Sequence, residues 1–319
     1  MSALQERAVG ATAFAPAAGV PTLRHPGPVA DERVVAVAAR LTPHEVELPA
    51  GVPLLDALAG LLDSTGARSA VGELVGGELA EFGYYVPDLG PEGGAVATFS
   101  PPRTAATPAR LVRGGLTLGH RDGAVFSHTH ALFEDAHGVR RAGHLIPDTV
   151  VLGAGVSARV WTSTDVAIEV RPDPETTMSL FVPRAIDGAD VATAAVDALV
   201  CRVRPNVDLV GVIEHLVERA GWSGAEVRGQ IGSLVGGLLR TGDGALEEVD
   251  GPATEVMFLD GAVRRVAGRV RADLAAGLLD RHAAWHHGTL VPGHNPVAMT
   301  YELVLVRADD EPHDSQGDR

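Results

Sequence analysis

Lysine is missing altogether: the 319 residues contain 26 basic side chains, and all of them are arginine. That absence excludes a P-loop lysine, a Schiff base with pyridoxal phosphate and the lysine of a kinase strand. Cysteine is almost missing. Cys201 stands alone, so no intrachain disulfide or thiolate-held iron–sulfur cluster can form, and a reducing compartment is expected. Aromatic residues are scarce, 4% against 45% hydrophobic residues in all, which predicts cores built from Val, Leu and Ala. No apolar run reaches the about 18 residues of a membrane-spanning helix, and Glu6 and Arg7 interrupt the opening stretch where a signal peptide would be apolar. The expectation is a cytoplasmic protein without a membrane partner. A formal charge of −15 repels phosphate backbones, so nucleic acid is not expected as a partner either.

What the sequence does contain is an order of elements that occurs twice. Residues 1–31, rich in Ala, Pro and Gly, read as a mobile arm, and residues 309–319 as a disordered tail. Between them, "VPLLDALAGLLDSTGA" and "VDLVGVIEHLVERAGW" both carry the apolar spacing of an amphipathic helix, with Leu54 matching Leu209 and Gly66 matching Gly221. A Gly-rich strand follows each helix, then short β-branched segments, then "AGHLIP" in the first copy and "HGTLVP" in the second. This succession predicts a duplication, with units at 32–183 and 198–308 joined by a linker at 184–197. Each unit is expected to be α+β, a mostly antiparallel sheet packed with one main helix.

The first copy also gathers histidines. "FSHTHALFEDAHGVRRAGHL", residues 126–145, holds four of the thirteen. A hairpin centred near His137 and Gly138 makes the numbers of facing residues sum to about 274, which sets His144 opposite His130. Alternate strand residues share a face, so His128 joins them. Three neutral nitrogens with an open fourth position suit a catalytic zinc ion. The same histidines, on a half-exposed strand, are also explained by pairing with acidic neighbours. A one-residue slip of register would separate them. Glu134 falls opposite Arg140, where an ion pair accounts for both, and His120 ends the preceding segment.

The run "HTHALFEDAHG" followed by "GHL", behind a helix and a Gly-rich strand, resembles the plant and prokaryote conserved (PPC) domain. The resemblance covers about residues 32–183, and a weaker one covers 198–308. It implies an α+β fold that assembles as a homotrimer, with a divalent metal, zinc by preference, on His128, His130 and His144. In the second copy those three positions fall on Asp273, Ala275 and Thr289, which cannot form the same site. Where the family commonly carries a Glu after Gly-His-Leu, the first copy has Arg159 and the second Glu302.

"GAGVSA" mimics a dinucleotide fingerprint but is followed by strand-like rather than helical sequence. The expected function is therefore a metal-dependent hydrolase or lyase. Its substrate would be a small anionic carboxylate or acyl compound, transformed by hydrolysis, hydration or isomerisation. Glu134 or His120 would move protons, and Arg159 or Arg140 would orient the anion. The alternative is a regulatory or scaffolding PPC protein whose histidines are structural.

Overall fold

Among the described residues, α-helix formation is confined to two short amphipathic segments. Leu54–Thr65 buries Leu54, Leu58, Leu61 and Leu62 and stops at Gly66, whose φ of 64° is the left-handed conformation that closes a helix C-terminus. Leu209–Ala220 stops the same way at Gly221 and is capped at its start by Asp208, whose carboxylate accepts the Gly211 N–H at 2.8 Å. A computed structural model describes residues 14–186 and 196–308. Residues 1–13 of the expected arm, the middle of the expected linker and the whole expected tail therefore lie outside the described residues.

The described residues hold only these two helices and one 3-10 turn at Pro147–Thr149; nearly all the remaining regular structure is antiparallel strand. The expected α+β class is thereby overturned in favour of a mostly antiparallel β fold. The reason lies in the long strands Ala109–Arg121, Ala124–Glu134, Thr254–Val266 and Arg269–Leu279, of 11 to 13 residues, which fold back as hairpins on their neighbours. A 12-residue helix, about 18 Å long at 1.5 Å per residue, covers a patch of such a sheet rather than forming a layer.

The strands form two large sheets, one of twelve and one of nine, with a two-stranded ribbon beside them. Val34–Ala39, although it precedes the first helix, pairs with Ala198–Val203 in the nine-stranded sheet. The next strand, Thr42–Glu47, pairs with Ser157–Ser163 in the other sheet. Val37, Val71, Ile168, Phe181, Val200 and Val304 fill the space where the two halves meet. Gly229 is required there, because a Cβ at this position would lie 2.8 Å from Val71 Cβ. No helix among the described residues is long and apolar enough to cross a membrane.

Candidate metal centre

The centre begins with a turn. Asp135 Oδ1 accepts the backbone N–H groups of His137 and Val139, each at 3.0 Å, while Oδ2 takes the Arg141 guanidinium at 2.9 Å. Those bonds hold the Asp135 carboxyl below the usual range, with the Arg141 bond the largest cause. The turn so pinned fixes the hairpin register: Glu134 faces Arg140 and His130 faces His144, a sum of 274. His128 lies two residues before His130 on the same face, and the three histidines come together with one ligand atom each, all within 4.8 Å of one another.

Hydrogen bonding from the second half sets the tautomers. His128 Nδ1 lies 2.9 Å from Glu302 Oε1, and His130 Nδ1 lies 2.9 Å from the Val256 carbonyl. Both partners only accept, so each Nδ1 carries its proton and each Nε2 keeps a free lone pair. Those two lone-pair atoms are 3.2 Å apart. In a tetrahedral site with bonds of about 2.0–2.1 Å, ligand nitrogens sit about 3.3–3.4 Å apart. Neutral lone pairs held this close repel unless a cation sits between them. His144 Nδ1 is buried and without a hydrogen-bond partner. The three-histidine group therefore fits a divalent ion in donor type, and His128 and His130 fit it also in spacing and tautomer.

Burial keeps His130 and His144 neutral, as ligands must be. It lowers the His130 pKa to about 3, with His128 adding to the effect and the Val256 carbonyl opposing it. Burial also drives His144 well below its ordinary value, reinforced by His128, His130 and Arg121.

A cavity of about 70 Å³ opens beside His128 and His130, with Phe99, Met178, Leu180 and Met299 among its walls. One carboxyl group lines it: Glu255, 5% exposed, whose Oε1 stands 3.6 Å from His130 Nε2 and whose Oε2 has no partner. Burial alone pushes this carboxyl up to about 8. Glu302, which holds His128, lies opposite the buried Arg202 on the adjacent strand, and Arg202 in turn bonds Asp173 at 2.7 Å.

The other expected site residues lie elsewhere. Glu134 pairs with Arg110 at the turn end of the hairpin, four residues and so about 13 Å along the strand from His130. Arg140 is exposed opposite it. His120 stands at the far end of the hairpin, opposite Val125 and beside Glu169. Burial, with Arg68 nearby, lowers its pKa. Arg159 is exposed and bonded to Glu45 at 3.2 Å, on a strand that pairs with Thr42–Glu47 and Ser69–Val75. None of these four provides a ligand atom to the histidine group.

No family model and no curated protein matches the chain. Solved structures similar to part of it include a plant- and prokaryote-conserved (PPC) protein of Pyrococcus horikoshii, at 17% identity and a TM-score of 0.37, covering 46% of this chain and 96% of that one. A metal-containing protein of Archaeoglobus fulgidus is similar at 17% identity and a TM-score of 0.38, covering 46% of this chain and 98% of that one. A protein of Ralstonia eutropha JMP134, provisionally called DNA-binding, has 20% identity and a TM-score of 0.36, with 43% and 89% covered.

Sequence reasoning found the three histidines but missed Glu255 as a site residue and left Glu302 without a role there. Both come from strands of the second half, more than 100 residues away. One signal was available for Glu302: it falls where the resemblance noted in the sequence led a Glu to be expected.

Proposed function

We propose that the chain is a metal-dependent enzyme whose zinc ion is held by His128, His130 and His144 and whose substrate is a small carboxylate or acyl compound. The observation that carries the reading is the pair of free Nε2 lone pairs 3.2 Å apart, each oriented by a hydrogen bond on the opposite ring nitrogen. Zinc at such a centre supplies Lewis acidity toward a substrate oxygen and makes hydroxide available near neutral pH. His128 and His130 are pre-set as acceptors toward it. The cavity beside them, with its mostly apolar lining, receives the apolar body of the substrate.

With Arg140 exposed at the turn and Arg159 bonded to Glu45, the metal itself is the anchor for the substrate oxygen. The reaction is hydrolysis, hydration or isomerisation. Residues 32–183 act as the metal-bearing PPC-like unit, and residues 198–308 as a degenerate copy that supports it. The PPC resemblance further implies three chains per assembly, for which light scattering should report a mass near three chains; a stable monomer would contradict it.

Elemental analysis after mild dialysis tests the function, followed by a screen of acyl thioesters, lactones and unsaturated acids. The expected result is one zinc per chain and turnover that disappears with His144→Ala. A chain that takes up no zinc would remove the reading.

A further inference from the structure

Glu255 is a buried carboxyl group beside the centre that makes no hydrogen bond through Oε2. Its side chain is 5% exposed, Oε2 has no partner, and it lines the cavity between His130 and the apolar wall. A buried carboxyl oxygen without a partner costs stability, about 1–3 kcal/mol for an ordinary polar group, and a methionine would fill the same space without that cost. Its Oε1 is 3.6 Å from His130 Nε2, yet Glu255 is not in the group whose ligand atoms lie within 4.8 Å of one another. It therefore stands beside the three-nitrogen site rather than in it. A carboxyl group offers an acceptor oxygen in either protonation state. The other described lining residues include no arginine, so the cavity supplies no cation to meet a charged tail.

Resting on the metal reading above, we propose that the site takes amides: compounds with a carbonyl oxygen directed at the metal, an N–H beside that carbonyl donated to Glu255, and an uncharged apolar body in the cavity. Among small acyl compounds, those with an adjacent N–H give the Glu255 acceptor oxygen a hydrogen bond in either protonation state. Glu255 is then a specificity-determining residue contributed by the second half to a centre whose histidines belong to the first.

The test uses the zinc-loaded full chain and two probes that bind zinc through the same pair of oxygens, benzohydroxamic acid and its N-methyl derivative. Only the first has an N–H. The unaltered chain should bind benzohydroxamic acid about 10-fold more tightly than the N-methyl probe, as one buried hydrogen bond is worth roughly 1.5 kcal/mol. In Glu255→Met the two affinities should converge to within about 2-fold, with one zinc per chain retained and the melting temperature unchanged or raised. Equal affinities in the unaltered chain overturn the proposal. So does a preference that survives in Glu255→Met, since it would then come from the bulk of the methyl group. Failure of the unaltered chain to bind zinc overturns the metal reading and this inference together, whereas zinc binding without the N–H preference overturns this inference alone.

Discussion

The hairpins Ala124–Leu145 and Arg269–Leu290 share one backbone plan and have opposite chemistry. In the first, His130 faces His144; in the second, Ala275 faces Thr289 at the corresponding register. Asp135 and Asp280 close the two turns identically, each accepting two backbone N–H groups on Oδ1 at 2.8 to 3.0 Å. On the other carboxylate oxygen the first turn bonds Arg141 and the second bonds His286. The backbone plan thus forms with or without a histidine face. The difference teaches that the turn, not the metal, sets the register, and that the second half contributes Glu302 and Glu255 to the centre in place of ligands of its own.

The largest effect that tests this contrast is loss of a ligand. His128→Ala or His144→Ala should reduce zinc from one per chain to none while circular dichroism stays that of the parent, because Asp135 still pins the turn. Unfolding of either variant would show that the ion is structural. Next comes the support from the second half. Glu302→Gln should weaken zinc binding about 10–100-fold in a chelator competition, as is typical when the partner of a ligating histidine is removed. An unchanged affinity would mean that the second half is only packed against the site.

Packing between the halves gives a third test. Gly229→Val forces a side chain against Val71, where even a Cβ would lie 2.8 Å from its neighbour. Overpacking of this kind costs about 1–3 kcal/mol, read as a lower denaturation midpoint with an unchanged slope.

The two hairpins should also respond to pH with opposite sign. In the metal-free chain, His130 and His144 have folded-state values lowered by burial, His130 to about 3. Below the unfolded value of 6.5 the unfolded chain binds the extra protons, so their contribution is lost as pH falls from there toward about 3. His286 is the reverse. Burial opposes its charge, but the bonds to Glu247 at 2.6 Å and Asp280 at 3.1 Å outweigh that and raise its pKa. Its contribution is full below 6.5 and disappears as pH rises through the raised value. The smallest expected effect follows. His286→Gln should lower stability at pH 5.5 by about 1 kcal/mol or less, since Glu247 is partly exposed, and by less at pH 8.5. Equal losses at the two pH values would contradict the assigned sign.

The centre was more legible than the fold around it. Both helices were readable because Leu54, Leu58, Leu61 and Leu62, like Leu209, Ile213, Leu216 and Val217, follow helical spacing up to a glycine. The His130–His144 pairing was readable because hairpin register depends on a local turn. The weight of strand over helix was not: the short β-branched segments were read as a sheet sharing each unit with a main helix, whereas they join strands of up to 13 residues. Nor was the pairing of Val34–Ala39 with Ala198–Val203, since nothing in a six-residue apolar strand names a partner more than 150 residues away. Glu255 and Glu302 escaped for the same reason. Their part in the site arises from packing between halves, which local periodicity does not encode.

X-ray absorption at the zinc edge, on the full chain titrated with zinc, tests most directly the claim that three histidines of the first hairpin hold one ion with support from the second half. The account predicts saturation at one zinc per chain with three imidazole nitrogens at about 2.0–2.1 Å. It also predicts that His128→Ala removes the signal. Saturation at two ions, or a coordination shell made mainly of carboxylate oxygens, would contradict it.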